Sequence, residues 1–412
     1  TKRQIFRACS AQFPEGDVLH WWHALPKKTM RGVRTRYSDD LLWLPYTLCE
    51  YIEKTGDKSI LGKSIAYCDG PLLVEGQHEN YINVQKSSLY ESVYNHCIRA
   101  IEHSLSLIGE HGLMLIGGGD WNDGYNKVGI GGKGESVWLS EFMSIVLQKF
   151  SQICLIAGEN ERAQRYIQIS EELKQNIETH CWDGEWYLRA FFDDKRPMGS
   201  HANAECRIDS LSQSFAAICG LENFQRNAVA LDSAYSHLFD QKNGIIKLFD
   251  PPFGGDDTSP GYVAAYPPGI RENGGQYTHG AVWLCIAFLQ NGNAEKGYEL
   301  IKALLPSGKY KEKEASGPYK NEPYYISADI YTNPQCYGHG GWSIYTGAAA
   351  WLYRAILEWL LGIKINGNFS IKPCIPAKWD GFSMEISYKN TAISLEGQRG
   401  DDCGIYDNGV LC

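Results

Sequence analysis

The stretch SLYESVYNHCIRAIEHSLSLIG, Ser88 to Gly109, sets the reading of the fold. Its apolar residues Leu89, Val93, Cys97, Ile101 and Leu105 recur every fourth position, the spacing that lines one face of an α-helix. Helical patterning returns at Ser136–Ala157, Arg162–Thr179, Thr278–Leu289, Ala294–Leu305 and Ser343–Leu361. Upstream, Ser38 reads as a helix cap with Asp39 and Asp40 as acidic first-turn residues, opening a helix through Leu41, Leu44, Thr47 and Tyr51. Strand-like runs in this portion are few: Trp186–Phe192 and Gly244–Phe249. Helices joined by long loops, with no alternation of strand and helix, predict a mainly α architecture over residues 1–362, such as a helical barrel. After Gly362 the period changes. Asn368–Ile371, Ser383–Ser387 and Ala392–Leu395 alternate apolar and polar residues between turns at Asn366-Gly367 and Asp380-Gly381, so 363–412 reads as the start of a small β-domain.

The composition narrows the function classes. Among 412 residues, 43% are hydrophobic and 21% charged, which suits a globular domain. A formal charge of −9 argues against a nucleic-acid partner. No stretch approaches the ~18–20 uninterrupted apolar residues of a membrane span. Thirteen cysteines, an odd number without a Cys-x-x-Cys pair, fit reduced thiols and a cytoplasmic location better than a disulfide framework or a zinc site. The chain does not begin with Met and is expected to start within a longer protein. Forty-three glycines, 12 Trp and 25 Tyr point to glycine-shaped loops and a site lined by flat rings.

The chemistry concentrates in Gly117-Gly118-Gly119-Asp120-Trp121-Asn122-Asp123-Gly124. Three glycines exclude a helix, so two carboxylates and a tryptophan sit on a loop, as catalytic groups often do. A carboxylate desolvated beside a ring is suited to act as a general acid; a plain turn is the competing reading. A calcium loop is excluded, because Gly124 stands where a ligand is needed and Tyr125 where the loop needs glycine. Gly129-Ile130-Gly131-Gly132-Lys133-Gly134 spells a dinucleotide fingerprint without the preceding strand, and lacks the Ser or Thr of a P-loop. Lys27, Lys28, Arg31, Arg34 and Arg36 form a basic run between His20-Trp21-Trp22-His23 and the Asp39-Asp40 pair. It reads either as a solvated patch or as a site for a polyol that carries or meets a phosphate. Tyr266 to His279 and Gly340 to Gly347 combine glycines, rings and hydroxyls at helix starts. There His279 and the N–H groups of Thr346 and Gly347 suit an anion, against the alternative of a buried, satisfied histidine.

Together, Arg31-Gly32, Ser38-Asp39-Asp40-Leu41-Leu42-Trp43-Leu44, Gly119–Gly124, Glu272-Asn273-Gly274-Gly275 with His279, and Tyr345-Thr346-Gly347 resemble glycoside hydrolase family 94, the inverting phosphorylases of β-glycosides. The wording from Arg31 to Asp40 is most similar to the phosphorylase-type domains of cyclic β-1,2-glucan synthases and to oligo-β-1,2-glucan phosphorylases. The resemblance implies an (α/α)6 barrel, preceded by a β-sandwich absent from this chain and followed by a short β-domain. It implies Asp123 as general acid and inorganic phosphate as nucleophile and co-substrate, with no cofactor and no metal. It places Arg31, His279, Thr346 and Gly347 at the phosphate, with Arg34 or Arg36 able to share the arginine's role. Arg36, Asp39, Asp40, Trp121, Tyr266, Arg271 and Glu272 fall at the sugar. Arg271 stands where cellobiose phosphorylases carry lysine. A homodimer of the longer protein follows from the same resemblance. Two rival readings stay open: an inverting hydrolase with Glu135 or Glu272 as base, and an inactive sugar-binding fragment of a synthase.

Overall fold

The computed structural model describes residues 1–23, 30–254, 259–309, 319–366, 368–388, 391–398, 406–407 and 410–411. Lys27 and Lys28 of the basic run lie outside them. The helices are α1 (Lys2–Ser10), α2 (Asp40–Thr55), α3 (Val93–Leu105), α4 (Val137–Ala157), α5 (Asn160–His180), α6 (Ser210–Ile218), α7 (Phe224–Leu238), α8 (Thr278–Gln290), α9 (Ala294–Leu304) and α10 (Thr346–Arg354). The last continues as one π-helical turn, Ala355–Leu360.

Their contacts run in a cycle. α2 packs on α4, α4 on α6, α6 on α8 and α8 on α10, while α3, α5, α7 and α9 back the helix before or after them. The cycle closes through charge: Arg354 Nη2 donates to Glu50 Oε2 at 2.6 Å, and Lys54 Nζ to Glu358 Oε1 at 2.7 Å. Burial follows the same division. α6 and α8 are apolar or small almost all round and nearly wholly buried, whereas α5 and α7 bury only a stripe. α4 is long and apolar enough to cross a membrane by length and composition, yet 72% of that window is buried in the protein core. Trp138, Phe142, Phe215 and Trp283 meet there with ring centroids 4.9 to 6.1 Å apart. Much of the aromatic content therefore fills the core rather than the site.

The sequence reading missed a sheet. Strands β1 (Leu19–His23), β2 (Met30–Thr35), β3 (Ser64–Asp69) and β4 (Glu79–Ser92) form an antiparallel sheet in the order β1-β2-β4-β3. The Ser88–Gly109 helix accordingly starts at Val93, capped by Ser92, whose Oγ accepts from Asn95 N–H at 3.2 Å. Ser88–Ser92 completes β4 instead, because its backbone pairs with β3, Ser92 opposite Ser64. Of the basic run, Arg31 and Arg34 fall on strand β2, and Arg34 is a core residue. Its guanidinium is held by Asp17 at 2.6 and 2.8 Å and Glu15 at 3.1 Å and lies over the Phe13 ring. Beyond Gly362, Ile363–Asn366 pairs with Asn368–Ile371, and Gly381–Tyr388 with Thr391–Gln398. Three of these strands fall on the runs Asn368–Ile371, Ser383–Ser387 and Ala392–Leu395 expected from the sequence; Ile363–Asn366 was not read as one.

Candidate active site

The Gly117–Gly124 loop is built to present Asp123. Gly117 adopts φ 62°, and a Cβ there would meet Arg36 O at 2.5 Å, so only glycine fits. Gly118 N–H donates to Arg36 O, and Ser38 N–H to Gly119 O, both at 2.9 Å, which ties the loop to the entrance of α2. Beneath it, the fully buried Arg189 clamps both oxygens of Asp120 at 2.7 Å, and Asp120 Oδ1 accepts from Asn122 N–H at 3.0 Å. Asp120 thus anchors the loop while Asp123 stays partly exposed, its side chain 38% accessible.

Asp123 opens into a cavity of about 260 Å³ shared with His20, Asp39, Asp40, Trp43, Trp121, Glu272, Tyr277 and Tyr345. Asp39 accepts from Trp43 Nε1 at 2.8 Å; burial, reinforced by the neighbouring Asp40, lifts its carboxyl well above the usual range. Glu272 is raised mainly by burial as well, and its Oε2 sits 3.4 Å from Arg271 Nε without a hydrogen bond. Arg271, at φ 52°, lies over both the Tyr266 and Trp342 rings. Tyr266 and Arg271 thereby back Glu272 at the cavity edge.

His20 was not among the residues singled out for the site. Its Nδ1 lies 3.0 Å from Asp40 Oδ2, and its Nε2 lies 3.5 Å from Asp123 Oδ2. Desolvation alone would depress the imidazole; its bonds to Asp123 and Asp40 and their charges outweigh that and carry it up to about 10. His20 therefore bridges Asp40 and Asp123 and is held toward its charged form. The signal in the sequence was a histidine in a ring-rich run, and nothing local linked it to partners at 40 and 123.

His279 stands in the opposite state. Burial lowers it to about 3, so it is neutral. Trp121 Nε1 donates to its Nδ1 at 3.3 Å, which puts the ring proton on Nε2, a buried donor without a partner. His279 belongs to the first turn of α8. α10 begins at Thr346-Gly347, one residue past the cavity wall at Tyr345, and the Tyr277 and Tyr345 hydroxyls meet at 3.4 Å. Neither helix start carries a side-chain cap. The starts of α8 and α10 thus follow directly on the lining residues Tyr277 and Tyr345, and His279 is joined to the lining through Trp121, although His279, Thr346 and Gly347 do not themselves line the cavity. Positive helix ends favour an anion.

Three expected residues lie elsewhere. Arg31 is exposed over the Tyr81 ring at 4.2 Å; four residues of extended strand, ~13 Å, separate it from Thr35, which bonds Asp40. Arg36 is exposed, with its guanidinium spent on the carbonyls of Gln77, Leu73 and Val74. Glu135, a candidate base, is buried and bonded to His111 Nδ1 at 2.5 Å, outside the cavity lining. The Gly129–Gly134 loop wraps a carboxylate of the chain itself: Gly131, Lys133 and Gly134 N–H groups donate to Asp193 at 2.6 to 2.9 Å. Among the described residues no group of three or more His, Cys, Asp or Glu is placed to hold a metal ion.

Carboxylates that accept hydroxyls, set between ring faces on a helical frame, make a cleft suited to a sugar. The chain belongs to the glycosyl hydrolase 94 superfamily, whose catalytic domain matches residues 1–362. It is 40% identical, over 99% of its length, to the cyclic beta-(1,2)-glucan synthase NdvB of Rhizobium meliloti (strain 1021), and covers 14% of that protein. It is 28% identical over 98% of its length to a solabiose phosphorylase of Paenibacillus borealis, and covers 49% of it. The chain thus spans half or less of these relatives. A solved sialidase structure shares the fold, with a TM-score of 0.51 over 73% of this chain and 28% of that one, at 15% identity.

Proposed function

We propose that this chain cleaves a β-glucosidic bond by inverting phosphorolysis, giving α-glucose 1-phosphate and a shortened sugar. The observation that carries the reading is the anion-favouring corner beside an acid: the unpaired His279 N–H and the uncapped ends of α8 and α10 next to a cavity lined by Asp123. Asp123 protonates the glycosidic oxygen as the bond to C1 breaks. Phosphate, held by His279, Thr346 and Gly347, attacks C1 from the opposite face; the glycosidic electron pair leaves on the protonated acceptor. Asp39, Asp40 and Glu272 accept sugar hydroxyls, and Trp121 packs on the ring. A hydrolase would need a carboxylate base for water; of the two candidates Glu135 is engaged outside the cavity, which leaves Glu272 at its edge as the one the phosphate-omission test addresses.

The names of the relatives support phosphorolysis through solabiose phosphorylase and a β-1,2 linkage through the glucan synthase. We also assign the helical cycle to the (α/α)6 barrel expected of the family, residues 1–362 to the catalytic unit and 363–412 to a separate β-domain, in a cytoplasmic protein. The test is release of glucose 1-phosphate from cellobiose and from β-1,2-linked gluco-oligosaccharides, with and without phosphate. Phosphate-dependent product supports the reading; free glucose formed equally without phosphate overturns it.

A further inference from the structure

The two exposed rings on the sheet face beside the cavity have no role in the cleavage step. β1 pairs with β2 through a bulge: Leu19 opposes Arg34 and Trp21 opposes Val33, so His20 is the extra residue. Bulges re-aim side chains, and this one turns His20 toward Asp40 while placing Trp21 with Val33 and Tyr81. The close approach depends on Gly32, where a Cβ would stand 2.4 Å from Trp21 O and 2.9 Å from Trp22 Cβ. Arg31, Val33 and Thr35 share one face of β2, and Thr35 Oγ1 reaches Asp40 Oδ2 at 3.3 Å. That face therefore runs from the cavity wall out to Trp21 and Tyr81.

There the two rings lie side by side, each 44% exposed, with centroids 5.5 Å apart. Polar groups rim them: His23 Nε2 and the Tyr81 hydroxyl are 2.8 Å apart, and the Arg31 guanidinium lies over Tyr81. Flat apolar faces beside hydroxyl-bonding groups match the C–H faces and hydroxyls of a sugar chain.

We propose that Trp21 and Tyr81, with His23 and Arg31, form a carbohydrate platform that holds the part of an oligosaccharide extending beyond the units at the scissile bond. The proposal rests on the glycoside-cleaving reading and adds to it a preference for longer chains. Val33, opposite both rings, is one pleat, ~6.6 Å, from Thr35 at the cavity wall, so the platform takes units past the cleavage site rather than the cleaved one.

The experiment measures kcat/KM in phosphate for gluco-oligosaccharides from disaccharide to hexasaccharide, in β-1,2 and β-1,4 series, for the wild type, Trp21→Ala, Tyr81→Ala and Tyr81→Phe. The expected result is a rise with chain length in the wild type. In both alanine variants the hexasaccharide-to-disaccharide ratio should fall about tenfold, equivalent to ~1.4 kcal/mol. Tyr81→Phe, which keeps the ring, should retain most of it. A wild-type ratio near one, or an equal loss at every length, overturns the platform while leaving phosphorolysis standing. If no sugar is cleaved, the phosphorolysis reading fails, and tryptophan-fluorescence titration with the same sugars decides the platform. Affinity that grows with length and drops in Trp21→Ala supports it; length-independent affinity refutes it.

Discussion

At the residue scale, burial and charge pull two histidines in opposite directions: His20 is carried up beside Asp40 and Asp123, and His279 is carried down by burial. If Asp123 donates the proton, Asp123→Asn should lower phosphorolysis of an oligosaccharide by about 10²–10⁴-fold. The same variant should recover activity on β-glucosyl fluoride, whose leaving group needs no proton; equal losses on both substrates would contradict the assignment. His20 gives a pH signature. Its pKa is raised from an unfolded value near 6.5 to about 10, so its bridge stabilises the fold fully below ~6.5 and is lost as pH rises through about 10. The melting temperature of the wild type should therefore fall relative to His20→Asn across that window; parallel curves would mean the bridge contributes nothing. Asp39, Asp40, Trp121 and Asp123 were legible because short motifs carry them. His20 was not, because its partners lie 20 and 103 residues away in sequence and are met only through a bulge. Arg31 was assigned to the phosphate, with Arg36 able to share the role, by resemblance; here Arg31 lies over Tyr81 along the extended strand and Arg36 bonds backbone carbonyls, neither lining the cavity.

At the element scale, the Gly117–Gly124 loop is held by its anchor. Arg189 and Asp120 are both fully buried, so Arg189→Met strands a carboxylate without its partner. The expected cost is about 3–5 kcal/mol, read by denaturant unfolding, together with lost activity as the loop shifts. A loss under 1 kcal/mol would show that Asp120 does not depend on the clamp. The long helices α4, α5, α8 and α9 were read to within a few residues, since their apolar stripes persist over several turns. Strand β4 was hidden because its buried positions, Ile82, Val84 and Ser87, are sparse and the flanking residues polar. Its end, Leu89, also fits the every-fourth spacing of α3, and only the pairing with β3 decides between them. Arg34 hides β2 in the same way: its charge reads as surface until Asp17 and Glu15, far upstream in the loop before β1, are seen to neutralise it.

At the scale of the whole molecule, the cleft is walled by the start of the helical cycle, Asp39 and Asp40, and by its end, Tyr345. The ion pairs Arg354–Glu50 and Lys54–Glu358 lie about 15 Å further along the same helices, so they test whether ring closure reaches the cavity. Arg354→Met removes bonds to Glu50 and Glu358 and should cost about 1–3 kcal/mol by thermal or denaturant unfolding. It should also raise KM for the sugar more than it lowers kcat; a stability loss with unaltered KM would separate ring closure from the site. Helical dominance and the late change to strands were legible because both are periodic over long stretches. Closure was not, because residues 50 and 354 carry no mark of each other in sequence.

The central claim is that phosphate, not water, takes the glucosyl group, with inversion. ³¹P and ¹H NMR of the chain turning over a β-1,2-linked gluco-oligosaccharide in phosphate buffer tests it directly. The account predicts α-glucose 1-phosphate as the first sugar phosphate, absent when phosphate is omitted and absent with Asp123→Asn. Free glucose accumulating in phosphate-free buffer, or a β-linked phosphate ester, would contradict it.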